Sequence, residues 1–397
     1  MKRFNISVAI IVALFSAGCY AQEKTSKENI IATETASVSQ KMPFWCELLH
    51  RTYSKEDCNI CLSPLSAQMA IAMAAIGAEG ETQQQMYSTI GNSINEDAKD
   101  IIARFDEENG RCELNLANSI WINDKLSVKQ DFIDKNKSIY NAEVNTITFD
   151  KYAKNIINNW CSDNTKGKIN EIIDEIDKSD MMYLINALYF KSPWLTPFEA
   201  DLTKRKSFTT AEDKVVTVDM MKKVLKTQYY IDDTIQMATL PFEDGFEMVF
   251  VLPRYKKSIE DAIDHLATQY KNCTDNMETY EIALFLPKFK TEFSIYMRDI
   301  LYAMGMERAF GCEAQFGNIS GTQLYIDNII QKTYIGVDED GAEAAAVTAV
   351  TMRCGAMPPQ DVKRATMMLD RPFIYAIKDR VTDTMIFVGT VGNPNKK

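Results

Sequence analysis

VDEDGAEAAAVTAVTMRCGAMPP, Val337 to Pro359, decides how this chain folds. Acidic residues and Gly341 open it, an alanine-rich run from Ala342 to Ala349 follows, and Pro358-Pro359 closes it. A pattern that starts as a helix former therefore ends as extended chain. No core face runs through it. When the stretch is extended, Ala342, Ala344, Ala346, Thr348 and Val350 share one face, and all are small enough to slide between two existing strands. The segment is able to become a strand.

Around it lies a chain of 397 residues, 46% hydrophobic and 25% charged, long enough to bury a large core as two domains or one large one. Glycine and proline are scattered, and no linker, repeat or low-complexity block appears. The formal net charge of −11 argues against general affinity for nucleic acid or an anionic membrane surface.

The first residues read as an export signal. Lys2 and Arg3 precede an apolar run from Ile6 to Phe15, too short for a spanning helix, and Ser16-Ala17-Gly18-Cys19 supplies the small residues a signal peptidase needs. Ala17-Gly18-Cys19 also resembles a bacterial lipobox, in which the cysteine is lipidated, although Ser16 stands where leucine is more usual. The expected division is a signal over 1–18, cleaved before Cys19, and a flexible tether over 19–42. The product is a lipoprotein of the bacterial outer membrane, cell surface or periplasm, or otherwise a secreted protein.

Eight further cysteines follow Cys19, and their pairing is not readable. Cys58-Asn59-Ile60-Cys61 has the spacing of a redox or metal half-site but lacks a second half, so a strand end is the preferred setting. Along the chain, Phe44 to Tyr53 is an amphipathic helix. Ser63-Pro64 starts a second helix that is apolar nearly all round and therefore buried. Thr82 with Gln85 has a capping-box pattern for the next. Ser258 caps a helix reaching Leu266, and another is expected from Ser294 to Met304. MYLINALYF, Met182 to Phe190, is a buried strand in which Asn186 must find partners or cost ~1–3 kcal/mol.

VDEDGAEAAAVTA resembles the reactive-centre hinge of the serpins. DRPF (Asp370 to Phe373) and MIFVGTVGNP (Met385 to Pro394) resemble their C-terminal strands, and NICLSPLSAQMAIAMAAIGAEGETQQQM their first-strand and second-helix region. The resemblance spans Phe44 to Pro394. It implies an α+β serpin fold over 43–397: a central, mostly antiparallel sheet A, two further sheets, eight or nine helices, and an exposed loop at about 339–360. The hinge would comprise Glu339, Gly341, Ala342, Ala344, Ala345 and Ala346. Ser63, Ser66, Asn186 and Trp194 match the polar shutter and the top of the sheet. Gln331 stands where the family usually has a histidine, which removes titration near neutral pH but keeps a donor and an acceptor.

Enzyme chemistry finds little support. The two histidines, His50 and His265, lie on helix patterns without a nucleophile motif beside them, and no GxSxG, HExxH, Walker loop or dinucleotide fingerprint occurs. By resemblance, the chain is a suicide inhibitor of serine or papain-like cysteine endopeptidases, needing no cofactor or metal and acting as a monomer. A five-stranded central sheet would leave room for the cut loop. The alternative is a non-inhibitory binding or carrier serpin. Family spacing counted from Glu339 places the reactive bond at Gly355-Ala356, which suits elastase-like, subtilisin-like or papain-like targets. Cys354 and Arg353 are the neighbouring alternatives, Arg353 for trypsin-like enzymes.

Overall fold

A computed structural model describes residues 6–16, 42–54, 58–106, 112–342 and 362–396. The chain opens with β1 (Ile6–Ser16), α1 (Phe44–Thr52), β2 (Ile60–Leu62) and three helices, α2 (Pro64–Ala75), α3 (Gly80–Ile90) and α4 (Ile94–Asp106). Then come β3 (Glu113–Asn123), α5 (Gln130–Tyr140), β4 (Glu143–Ile147), α6 (Ala153–Asn164) and β5 (Asp180–Pro193). A run of strands follows: β6 (Lys204–Thr209), β7 (Val215–Ile231), β8 (Ile235–Pro241) and β9 (Phe246–Pro253). After α7 (Ile259–Asp275) lie β10 (Glu278–Pro287), β11 (Phe289–Tyr296), α8 (Arg298–Ala303) and β12 (Leu324–Val337). The chain closes with β13 (Gly341–Ala342), β14 (Arg364–Met368), β15 (Phe373–Asp379) and β16 (Met385–Val391).

The central sheet runs β11-β12-β1-β5-β3-β4, with β13 added at the end of β5. All its pairs are antiparallel except β3 with β4. The two smaller sheets join through the long strand β7, which carries β6, β10 and β14 toward one end and leads through β8 and β9 to β15, β16 and β2 at the other. This is the expected α+β architecture, with eight α-helices among the described residues.

α2 sits beneath the central sheet. Its residues are almost all fully buried, because small Ala and Met side chains on every face let it pack between the central sheet and its neighbours at once. Ser63 caps it: its hydroxyl accepts from the Ser66 amide at 3.2 Å, with Pro64 in the first turn. The next helix corrects an expectation. α3 begins at Gly80, one turn earlier, so Thr82 lies inside it and accepts from the Gln315 amide at 3.0 Å, while Gln85 accepts from the Arg308 amide at 2.9 Å. Both side chains tie the helix to a neighbouring loop instead of closing a capping box. The segment from Ser294 also differs, since β11 continues to Tyr296 and only Arg298–Ala303 is helical. Pairing with β12 through Tyr296 outweighs the local helical pattern.

The larger correction concerns the centre of the sheet. Instead of five strands with room for one more, the full chain has its sixth position filled by β1, antiparallel to β5 on one side and β12 on the other. ISVAIIVALFS is rich in β-branched residues and carries no charge, so it satisfies a site that demands a strand paired along both edges and apolar on its inner face. Val12 and Leu14 are buried in the main core.

Candidate functional site: the strand slot and the loop hinge

The slot is bounded by β5 and β12, which are parallel to each other because both are antiparallel to β1. Halfway along, Ile10 lies opposite Asn186 on one side and Gln331 on the other. These two buried amides, both expected in one cluster, are thus held two strand spacings apart, roughly 10 Å. Each has other partners. The Asn186 amide donates to Asn118 Oδ1 at 2.8 Å, and the Asn118 amide donates to the Tyr140 carbonyl at 2.8 Å. Gln331 grips the backbone of Ser63, accepting from its amide at 3.2 Å and donating to its carbonyl at 2.9 Å. The start of α2 is thereby fastened to β12. Asn186 Oδ1 and Ser66 Oγ, both buried, have no hydrogen-bond partner among the described residues.

At the top of the slot the chain leaves β12 through Asp338, Glu339 and Asp340. Trp194, buried and stacked on Phe242 with ring centroids 4.3 Å apart, donates its indole N–H to the Asp338 carbonyl at 3.0 Å. Its backbone N–H reaches the Asp340 carbonyl at 3.1 Å, and the Phe198 amide reaches the Glu339 carbonyl at 2.8 Å. The Glu339 carboxylate receives Lys288 Nζ at 2.6 Å and the Thr203 hydroxyl at 2.8 Å. Burial alone would raise its pKa, but these two partners more than offset that and hold it below the usual glutamate range. Asp338 and Asp340 move the other way, raised chiefly by burial and further by their acidic neighbours.

Gly341 then turns the chain toward the slot. Its φ is +134°, and a Cβ there would stand 2.6 Å from the Pro193 Cα and the Ser192 carbonyl oxygen, so glycine is required on both counts. β13 follows, with Gly341 opposite Pro193 and Ala342 opposite Ser192. β13 and β1 therefore line the same edge of β5, one directly above the other, since β1 starts with Ile6 opposite Phe190.

Of the remaining expected residues, Ala344, Ala345, Ala346, Arg353, Cys354, Gly355, Ala356 and Cys19 lie outside the described residues. Three contributors went unread in the sequence. Asn118 carries the same signal as Asn186, a polar side chain inside a buried strand, and was findable on that ground. Lys288 and Thr203 carry no such signal, because only the folded chain brings them to Glu339.

Residues 39–394 match the family model described as serpin (serine protease inhibitor). The chain belongs to the serpin family, whose members are in general protease inhibitors that bind target proteases. It is 31% identical to an uncharacterized serpin-like protein of Thermococcus kodakarensis, over 87% of this chain and 83% of that protein. It is 32% identical to Iripin-8 of Ixodes ricinus, over 87% and 90%. Among solved structures, the thermophilic serpin Tengpin in its native state superposes with a TM-score of 0.80 at 30% identity, covering 93% of this chain and 97% of that one. Human thyroxine-binding globulin superposes with a TM-score of 0.78 at 25% identity, covering 89% and 97%.

Proposed function

We propose that the exported form of this chain is a suicide inhibitor of serine endopeptidases, and of papain-like cysteine endopeptidases, that traps its target by inserting the cut loop between β5 and β12. The observation that carries this reading is a register. With Gly341 opposite Pro193 and Ala342 opposite Ser192, continuing the strand sets Ala344 opposite Phe190, Ala346 opposite Leu188, Thr348 opposite Asn186 and Met352 opposite Met182. These are the places β1 takes from Ile6 to Leu14, after which it shifts by one residue and sets Phe15 opposite Asp180. Asp180 is the first residue of β5, so the slot ends opposite Arg353 with that shift and opposite Cys354 without it, and Gly355 would lie beyond the sheet in both cases. A cut at Gly355-Ala356 therefore releases a strand that fills the slot in either register, whereas a cut after Arg353 fills it only with the shift.

The chemistry then follows in order. The protease nucleophile attacks the Gly355 carbonyl carbon, the amine of Ala356 departs, and Gly355 is left as an ester or thioester on the enzyme. The freed hinge enters the slot, gaining hydrogen bonds on both edges, and carries the bound enzyme the length of the sheet. Deacylation needs an oxyanion hole and a positioned water, and distorting the acylated site removes both. The inhibitor is consumed in the process.

Export is the enabling step in this reading. A cut before Cys19 falls just past the end of β1, so it takes the whole strand away and leaves the slot to the loop. Lipidation at Cys19 would tether the inhibitor to the cell envelope through the 19–42 segment; without it the protein is secreted. The test compares residues 19–397 with the full chain against elastase-like, subtilisin-like, trypsin-like and papain-like enzymes on denaturing gels. The shortened chain is expected to form denaturation-resistant complexes and the full chain to be cleaved without trapping. Equal trapping by both would remove β1 from the account.

A binding or carrier role is the second reading, favoured by the likeness to thyroxine-binding globulin. It requires stabilisation by a small ligand and no covalent complex with any protease.

A further inference from the structure

Away from the slot, three side chains of different chemistry converge where the end of α7 meets the turn between β7 and β8. Asp232 Oδ2 lies 2.8 Å from His265 Nε2, and Cys273 Sγ lies 3.7 Å from the same nitrogen. The ligand atoms of all three fall within 4.8 Å of one another. His265 and Cys273 both belong to α7, and Asp232 stands in the turn between β7 and β8.

A catalytic Cys-His-Asp relay uses both ring nitrogens of the histidine, one for the nucleophile and one for the carboxylate. Here both contacts fall on Nε2, so Asp232 does not hold the ring for a proton transfer from Cys273. One donor atom from each of three residues, all within 4.8 Å of one another, is instead the arrangement of a metal site. We propose that Asp232, His265 and Cys273 form a binding site for a zinc-class divalent cation, with solvent as the fourth ligand.

The donor set is sulfur, imidazole nitrogen and carboxylate oxygen, which zinc accepts and magnesium or calcium does not favour. Bond lengths of roughly 2.0–2.3 Å in a tetrahedron give ligand-to-ligand edges of about 3.3–3.6 Å. The sulfur-nitrogen edge is already near that length, and the oxygen-nitrogen edge has to open by about 0.5 Å. The carboxylate is held for the purpose: Asp232 Oδ1 accepts from the amides of Thr234 and Ile235 at 2.7 and 2.8 Å, and Oδ2 also accepts from the Tyr230 hydroxyl at 2.9 Å. Such outer partners orient a metal's ligands. Cys273 is fully buried, while the His265 and Asp232 side chains keep 21% and 23% of their surface exposed, which gives the ion an entry and the water a place. Binding would release the Cys273 thiol proton to solvent as the sulfur-metal bond forms. The bound ion would clamp α7 to the β7–β8 turn.

Titrating the reduced full chain with Co²⁺ tests this. The expected result is a thiolate-to-cobalt charge-transfer band with the strong visible bands of a tetrahedral ion, both reversed by excess Zn²⁺. Cys273→Ser should abolish the charge-transfer band, His265→Gln should weaken binding at least tenfold, and Tyr230→Phe should weaken it about tenfold. Cys312→Ser, which alters an exposed cysteine elsewhere, should change nothing. Absence of the band, its survival in Cys273→Ser, or its loss in Cys312→Ser would each overturn the site. Circular dichroism of each variant separates lost binding from lost fold.

Discussion

Thr348 is the loop residue whose chemistry most closely answers a need of the sheet. In the continued register it replaces Ile10 beside Asn186, whose Oδ1 is buried without a partner, and a hydroxyl there can donate to it. Thr348→Val keeps the shape and removes the donor, so the heat stability gained on loop cleavage should shrink by about 1 kcal/mol. Calorimetry of the cleaved proteins measures it; an unchanged gain would mean that the hydroxyl finds another partner. Gly341 answers a geometric need: Gly341→Val should cost on the order of 1–3 kcal/mol in thermal unfolding, from strain at positive φ together with the approach to Pro193. Glu339 answers an electrostatic one. Its folded pKa lies below its unfolded value, so its anchoring by Lys288 is present above the usual range, ~4.3, and is lost as pH falls through the folded value. Asp338 and Asp340, raised in the fold, act with the opposite sign. Comparing wild type with Glu339→Gln isolates the Glu339 part: from pH 6 to pH 3 the wild type should lose more melting temperature than the variant.

At the scale of elements, the proposed insertion puts the loop in the position that β1 fills, and what suits that position can be read from β1. Val12 and Leu14 face the core, and continuing β13 gives Ala344, Ala346, Thr348, Val350 and Met352 the same parity. Ala346→Arg would bring an unpaired charge into that face, at a cost of several kcal/mol. The variant should be cut at the normal rate yet form no stable complex, and trapping at the wild-type stoichiometry would contradict inward insertion. Much of this was legible beforehand. The buried strand around Asn186 and the nearly all-apolar α2 each carry a periodicity or composition that only one environment accepts. What was not legible depends on distant parts of the chain. An apolar run with positive flanks reads as an export signal, and nothing in it states that β5 and β12 offer it a double-edged site. Thr82 and Gln85 have capping chemistry, but the backbone amides of Gln315 and Arg308 take them. The cluster at Asp232, His265 and Cys273 has no motif spacing, because the ligands come from a turn and from two points on a helix.

For the molecule as a whole, the proposed function requires a fold held short of its most stable state once β1 has left its place between β5 and β12. The most direct measurement mixes the purified 19–397 chain with a serine endopeptidase and determines both the complex on a denaturing gel and the mass of the released C-terminal peptide. The account predicts a covalent complex, a peptide beginning at Ala356, and a cleaved inhibitor that melts far above the intact one. Clean cleavage with no complex and no gain in heat stability would contradict it, since the loop would then have been cut without entering the sheet.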